Sequence, residues 1–164
     1  MSSFAIVLAA FGVANASALA ALGQIQARFQ GAFPDAPVRL AFTSNQIRKI
    51  WRRRARDPQW REANPSVPPD ILEVQGPLAV IANLQDAGYR DLVVQSLHIY
   101  AGEEYRDLRS YLDGLNAIRT VQPRWMPFSR ALHGASCPVQ CSPAGKRWES
   151  ADAYEFLEPP QGTS

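Results

Sequence analysis

Short apolar runs alternate along the chain with longer segments of mixed character. Four runs have the length of strands buried in a sheet, and they lie at residues 4–11, 37–42, 92–99 and 128–132. The segments between them predict helices at residues 17–29, 45–55, 77–87 and 103–118. Strands that alternate with helices are typical of βαβ units, so we predict a three-layer α/β/α fold with a small parallel sheet.

Two parts of the chain depart from this alternation. Residues 57–70 hold four prolines and little apolar periodicity, which predicts a surface loop. From Gly134 onward neither strand nor helix spacing recurs, and we expect irregular or partly disordered structure there. We therefore divide the chain into an α/β domain at residues 1–133 and a tail at residues 134–164.

The first apolar run has two interpretations. Residues 4–21 are rich in small residues, and Ala14-Asn15-Ala16 resembles a signal-peptidase site, which would indicate a periplasmic protein. Against this, no Lys or Arg precedes the run, and Gly12 interrupts it after eight residues. We favour a buried strand followed by a loop and a helix, and hence a cytoplasmic protein without a membrane span.

Composition indicates one globular domain. The chain has 164 residues, of which 46% are hydrophobic and 20% are charged. A formal charge of +2 does not by itself indicate a nucleic-acid-binding protein. Cys137 and Cys141 stand four positions apart, and no second pair of Cys or His at metal-finger spacing completes a zinc site. We interpret the two cysteines as a reduced pair.

A histidine and two carboxylates follow the third predicted strand. His98 lies at the end of this strand, and Gly102 precedes Glu103 and Glu104 at the start of the next helix. The carboxyl ends of strands form the ligand crevice of open α/β sheets, so these side chains are candidates for metal binding or proton transfer. In the alternative interpretation, the carboxylates only complement the helix dipole and His98 is a buried histidine bonded to backbone.

A basic run lies after the second predicted strand. Six positive charges fall within residues 47–56, in a helix that would begin near Ser44. A solvated helix face is the ordinary interpretation of such a run, and nucleic-acid binding is an alternative. Ser44 and Arg48 would border the same crevice as Glu104. A guanidinium group in that place suits a ligand that carries carboxylates.

Several linked segments resemble one enzyme family. In chain order they are Ala-Phe-Gly at 10–12, Ala-Phe-Thr-Ser at 41–44, Ile-Arg-Lys at 47–49, Gly-Tyr-Arg-Asp at 88–91, Val-Gln-Ser-Leu-His-Ile at 94–99 and Gly-Glu-Glu-Tyr at 102–105. Together they closely resemble the amino-terminal half of the anaerobic sirohydrochlorin cobalt chelatases, over roughly residues 4–130. The resemblance implies a chelatase-like half-domain, with the tetrapyrrole bound between two such halves.

The resemblance also implies roles for particular residues. Glu104 matches the carboxylate that faces the metal and takes part in catalysis, and His98 lies beside it as a second catalytic group. The residues expected to contact the substrate are Phe11, Gly12, Ser44, Arg48 and Ser96. Sirohydrochlorin and divalent cobalt are then the substrates, with iron as the alternative metal, and no tightly bound cofactor is implied.

The family's second half has no counterpart of full length in this chain. In the family, two metal-binding histidines come from that half, one of them within a His-Gly-Ala-Ser sequence. This chain has His-Gly-Ala-Ser at residues 133–136, which makes His133 a candidate metal ligand, although it follows Glu104 closely in sequence. Either a segment before His133 is missing, or the tail is unrelated to the family.

These observations leave three functions open. The favoured function is a cobalt chelatase that acts as a homodimer or together with a missing second half. The first alternative is an impaired half-chelatase that binds tetrapyrrole or metal without turnover. The second is a nucleic-acid-binding domain that uses the helix at residues 48–56. We do not favour nucleic acid as a partner.

Overall fold

The structure is a computed structural model that describes residues 4–119 and the backbone of residues 130–133. Its strands are β1 (Phe4–Ala10), β2 (Val38–Phe42), β3 (Asp91–Ser96) and β4 (Arg130–His133). Its helices are α1 (Ala16–Ala32), α2 (Asn45–Ala55), α3 (Pro58–Ala63), α4 (Pro69–Leu72), α5 (Pro77–Asp86) and α6 (Glu103–Ala117).

The four described strands form one parallel sheet in the order β2-β1-β3-β4. β1 is central, and six of its seven residues are buried, as expected for a strand that is covered on both faces. The continuous apolar run at the start of the chain is therefore the middle of the fold, as predicted. No helix among the described residues is long and apolar enough to cross a membrane.

Helices cover both faces of the sheet, which confirms the three-layer α/β/α fold. Successive side chains of β1 point to opposite faces. On one face Ala5, Val7 and Ala9 pack with residues of α5 and α6. On the other face Ile6 and Leu8 pack with residues of α1. The alanines leave space for helices to approach the sheet closely.

The predicted loop at residues 57–70 is partly helical, so the prediction of a plain loop is wrong. Asp57 caps α3 by accepting a hydrogen bond from the backbone N–H of Trp60 at 3.1 Å, and Pro58 occupies the first turn. In and just after α4, Ile71 and Val74 are buried in a cluster with Trp51 of α2. Helices of six and four residues are too short to show a helical period in the sequence.

The strands are also shorter than their apolar runs. The backbone N–H of Leu97 still donates to the carbonyl of Ala9 at 2.8 Å, but Ile99 is fully exposed, so β3 ends well before residue 99. β4 begins at Arg130 and includes His133, whereas the predicted strand spans residues 128–132. The predicted tail at residues 134–164, with its two cysteines, lies outside the described residues.

Candidate functional site

The strand order creates a crevice at the carboxyl edge of the sheet. The chain leaves β1 towards β2 and later returns to the opposite side of β1 to form β3. Open α/β sheets bind their ligands outside the strand ends at such a reversal. The loops that border it here are residues 11–15 after β1, 43–44 after β2 and 97–102 after β3.

His98 lies in this crevice, and both of its ring nitrogens are hydrogen-bonded. Its Nδ1 lies 2.9 Å from the Ser96 hydroxyl, and its Nε2 lies 3.1 Å from the Thr43 hydroxyl. The ring also contacts Tyr105 edge-on, with 6.4 Å between the ring centroids and 69° between the planes. The structure thus holds the imidazole in one orientation, between the ends of β2 and β3.

Burial lowers the pKa of His98, and the carboxylate of Glu104 opposes this effect by favouring the charged ring. Burial is the larger of the two effects, so the ring is neutral at pH 7. A neutral imidazole can accept a proton, which a protonated ring cannot.

Glu104 lies in the first turn of α6, beside the crevice, and its side chain is half-buried. Gly102 precedes the helix, and a side chain at this position would meet the ring of Tyr100 at 2.7 Å. Among the described residues, none forms a hydrogen bond or an ion pair with the Glu104 carboxylate. Its charge nevertheless acts on both His98 and Arg48, since it offsets part of the lowering of the pKa that burial causes in each. This carboxylate is thus placed to bind a cation at the crevice.

Arg48 fastens the end of β2 to the start of α2. Its Nη1 donates to the carbonyl oxygens of Phe42 and Thr43, the latter at 2.8 Å, and its Nη2 donates to Oδ1 of Asn45 at 2.7 Å. The guanidinium packs on Gly76, where an added Cβ would meet Nη1 at 3.0 Å. Burial, followed by the neighbouring charge of Arg52, lowers the pKa of Arg48. The predicted substrate-binding guanidinium is therefore largely engaged with the protein itself.

The other predicted substrate residues also lie at the strand ends. Ser44 is buried and caps α2 by accepting from the backbone N–H of Ile47 at 3.5 Å. Ser96 is buried beneath His98, whereas the ring of Phe11 is half-exposed at the rim. Gly12 has a positive φ of 108°, and a Cβ there would lie 2.9 Å from the ring of Phe42. Hence Phe11 is the member of this group whose side chain is most open to a ligand.

The metal site is incomplete in the described part of the chain. Residues 4–119, whose side chains the structure describes, contain no group of three or more His, Cys, Asp or Glu that could hold a metal ion. The backbone of His133 lies at the carboxyl end of β4, paired with Val94 of β3. His133 is therefore two strand positions below Ser96, a rise of about 6.6 Å. His133 thus ends a strand at the carboxyl edge of the sheet, where the site was predicted. Its role as a metal ligand stays a prediction.

Sequence reasoning did not identify two features of this crevice. Thr43 receives no role of its own in the sequence analysis, but its hydroxyl contacts His98, which lies 55 positions later in the chain. Ile99 and Tyr100, which the apolar pattern assigns to a strand and its end, are exposed beyond β3, with exposed fractions of 100% and 80%. Together with Phe11 they give the crevice an apolar rim. The sequence did contain a signal for this rim. The apolar run continues past the end of β3 towards the Gly-Glu-Glu sequence at residues 102–104.

The basic run at residues 47–56 forms most of α2 and divides between two directions. Arg48 points to the strand ends, and Arg54 stacks on the rings of Trp51 and Trp60 at 4.7 and 5.0 Å. The remaining charges are solvent-exposed, and they belong to Lys49, Arg52, Arg53 and Arg56. A solvated face therefore accounts for four of the six charges, and structural contacts account for two.

Comparison with known proteins identifies related sequences. The sequence model of the family described as cobalt chelatase (CbiK) matches residues 4–123. A sirohydrochlorin cobaltochelatase, CbiKC, of Nitratidesulfovibrio vulgaris strain Hildenborough is 31% identical over 160 residues, which cover 94% of this chain and 51% of the relative. The chain thus spans about half the length of the curated relative that it matches. Since only 6% of the chain is left out, the alignment extends through His133 and over most of residues 134–164.

Proposed function

The chain belongs to the cobalt chelatase (CbiK) family, and we propose that it inserts divalent cobalt into sirohydrochlorin, a step in tetrapyrrole biosynthesis. The observation that carries this proposal is the Glu104 carboxylate, which lies at the ligand crevice without a hydrogen-bond partner among the described residues.

Metal insertion needs three things from a protein. Water must leave the ion, the ion must be held over the ring, and the two pyrrole N–H protons must leave as the metal enters. The Glu104 carboxylate offers oxygen ligands to a divalent cation, in which role it replaces water, and it can also take a proton. The neutral His98 ring is the second proton acceptor in this proposal, and it takes the proton on its unprotonated nitrogen as the hydroxyl bonded there turns away.

The rim of the crevice suits a flat macrocycle. Phe11 and Tyr100 offer exposed aromatic rings and Ile99 an exposed aliphatic side chain, on the loops after the adjacent strands β1 and β3. Such apolar groups pack against the face of a conjugated ring. Gly12 lets the loop that carries Phe11 pack closely against Phe42, and Arg48 contributes positive charge towards the carboxylates of the substrate. Ser44 and Ser96 keep the strand ends in position.

A second copy of the chain is the partner that completes the cleft in this proposal. The chain covers 51% of its relative, and its described part lacks a group of three metal ligands. A homodimer would place two crevices face to face and supply ligands from both subunits. His133 is the proposed imidazole ligand of this site, since the alignment with the cobaltochelatase runs through it.

One observation favours a second candidate function. Residues 4–119 contain no group of three or more potential metal ligands, which favours the alternative of a half-chelatase that binds sirohydrochlorin or cobalt without catalysing insertion. A chain of this kind would change the absorbance of sirohydrochlorin on binding, but it would not produce the spectrum of the cobalt complex.

The test of the proposal compares two neighbouring carboxylates. Purified protein is incubated with sirohydrochlorin and Co²⁺, and the absorbance change of metalation is followed. We expect Glu104→Ala to lower the rate by about 100-fold or more, because a metal ligand and proton acceptor is lost. Glu103→Ala removes the same charge from the same helical turn, but from an exposed position, and should keep the rate within about twofold of the wild type.

The outcomes separate the alternatives. Loss of metalation in Glu104→Ala alone supports the chelatase site. Full activity in that variant contradicts it, and equal losses in both variants indicate a general effect on α6 instead. Salt-sensitive binding to a random DNA duplex without any binding of sirohydrochlorin would contradict the whole proposal in favour of the exposed basic face of α2.

A further inference from the structure

Two hydroxyl groups enclose the imidazole of His98. The Ser96 hydroxyl lies 2.9 Å from Nδ1, and the Thr43 hydroxyl lies 3.1 Å from Nε2. Ser96 belongs to β3, and Thr43 directly follows β2, so the two groups approach the ring from either side of the end of β1. The second contact joins residues 55 positions apart in sequence.

The other bonds of the Thr43 hydroxyl indicate the direction of its contact with the ring. The Ser96 oxygen accepts the backbone N–H of His98 at 3.3 Å, and its hydroxyl is able to donate to Nδ1 as well. The Thr43 hydroxyl is 3.4 Å from the carbonyl oxygen of Ala10, to which it can only donate. With its proton directed there, Thr43 accepts at the ring, so Nε2 must carry the hydrogen. The Thr43 contact thus favours the Nε2–H tautomer, in which Ser96 donates to Nδ1.

The end of β2 is fixed independently of the histidine. The backbone N–H of Thr43 donates to the Ala10 carbonyl at 2.8 Å, and its own carbonyl oxygen accepts from Arg48 at 2.8 Å. Thr43 is therefore a rigid support whose hydroxyl has a defined position. A flexible partner would not select one orientation of the ring.

We propose that Thr43 is a positioning residue of this site, whose hydroxyl accepts the Nε2–H of His98 and so fixes the ring as the Nε2–H tautomer with its basic lone pair on Nδ1. The consequence for metalation rests on the proposed function, whereas the contact itself does not. Thr43 does not touch the metal or the reacting nitrogens in this account. It acts by keeping the proton acceptor in one tautomer and one orientation.

Imidazole ¹⁵N chemical shifts test the contact without any substrate. The chain has two histidines, His98 and His133, so a His133→Gln variant assigns the signals. At a pH where the ring is neutral, we expect Nε2 of His98 to have the shift of a protonated nitrogen and Nδ1 that of an unprotonated one. Thr43→Val keeps the shape but loses the hydroxyl, and should lower the ratio of Nε2–H to Nδ1–H tautomers by about fivefold, the effect of one neutral hydrogen bond. Thr43→Ser should keep the wild-type shifts.

Two results would overturn the proposal. One is a wild-type ring protonated on Nδ1, and the other is a folded Thr43→Val variant whose His98 shifts equal those of the wild type. If Thr43→Val does not fold, Ser96→Ala provides the second variant, and it should shift the same tautomer ratio because it removes the donor to Nδ1.

Kinetics separate this inference from the proposed function. In the metalation assay, Thr43→Val should lower kcat with little change in KM, and Thr43→Ser should restore kcat. If the ¹⁵N shifts follow the prediction but the wild type does not metalate sirohydrochlorin, the proposed function fails and the positioning contact stands.

Discussion

At the scale of single residues, Gly12 has the most demanding place beside the crevice. It follows the rim residue Phe11 in the loop between β1 and α1, with a φ of 108°. An added Cβ would lie 2.9 Å from the ring of Phe42 and 3.0 Å from the side chain of Ile47. Both the backbone conformation and the available space therefore require glycine.

We expect Gly12→Ala to lower the free energy of unfolding by about 1–3 kcal/mol, because it adds both left-handed strain and a close contact. Gly23→Ala is the matched control. Gly23 lies within α1 with nothing within 4 Å of an added Cβ, so the same change should raise the free energy of unfolding by about 0.5–1 kcal/mol. Urea denaturation measures both, and equal effects at the two positions would refute this account of Gly12.

The sequence predicted the place of most site residues but not their partners. His98, Glu104 and Ser44 follow predicted strands or begin predicted helices, so local pattern was enough to bring them to one edge. The contact between His98 and Thr43 was not predictable, because it crosses the end of β1 and depends on the strand order. Apolar spacing and helix-capping signals predict where strands and helices lie in the chain, but they do not predict the order of the strands in the sheet.

At the scale of elements, α2 joins two of the three loops at the crevice. Arg48 in its first half binds the end of β2. In its second half, Nε1 of Trp51 donates to the carbonyl of Val13 at 2.8 Å, and Nη1 of Arg54 donates to the carbonyl of Ala14 at 2.7 Å. The helix thus fixes the loop that carries Gly12. This function could not be predicted from the basic run, because the sequence does not distinguish arginines that bind the protein from arginines that face solvent.

A pair of neighbouring arginines tests this role of α2. Arg54→Ala removes a charged hydrogen bond and two cation–π contacts, and should lower the free energy of unfolding by about 2–4 kcal/mol. Arg53→Ala removes the same charge from an exposed position and should change it by no more than about 0.5 kcal/mol. Thermal or urea unfolding distinguishes them, and a neutral Arg54→Ala would show that the loop does not depend on this side chain.

At the scale of the whole molecule, the described fold would provide one wall of the proposed tetrapyrrole cleft. Four parallel strands with helices on both faces place Glu104 and His98 at one edge, beside the exposed side chains of Phe11, Ile99 and Tyr100. The sequence pattern predicted this architecture, because β1 and β3 are buried strands between helices. It missed α3 and α4, which are short and are stabilised by tertiary contacts of Trp60 and Ile71 rather than by their own periodicity.

If a second copy completes the cleft, sedimentation equilibrium should give a mass of twice 18.1 kDa. Ile99→Asp would put a charge into the covered surface and should shift the protein towards the monomer. Ile118→Asp is the control, since Ile118 is an exposed apolar residue at the far end of α6, a 15-residue helix that begins beside the strand ends. A monomer at all concentrations would contradict the homodimer.

The most direct measurement of the central claim is the rate of cobalt insertion by the wild-type chain. Sirohydrochlorin and Co²⁺ are mixed with and without the purified, folded protein, and the spectrum of the cobalt complex is followed over time. The account predicts an insertion rate that rises with protein concentration, with many turnovers for each chain. A rate equal to that of the reaction without protein would contradict it.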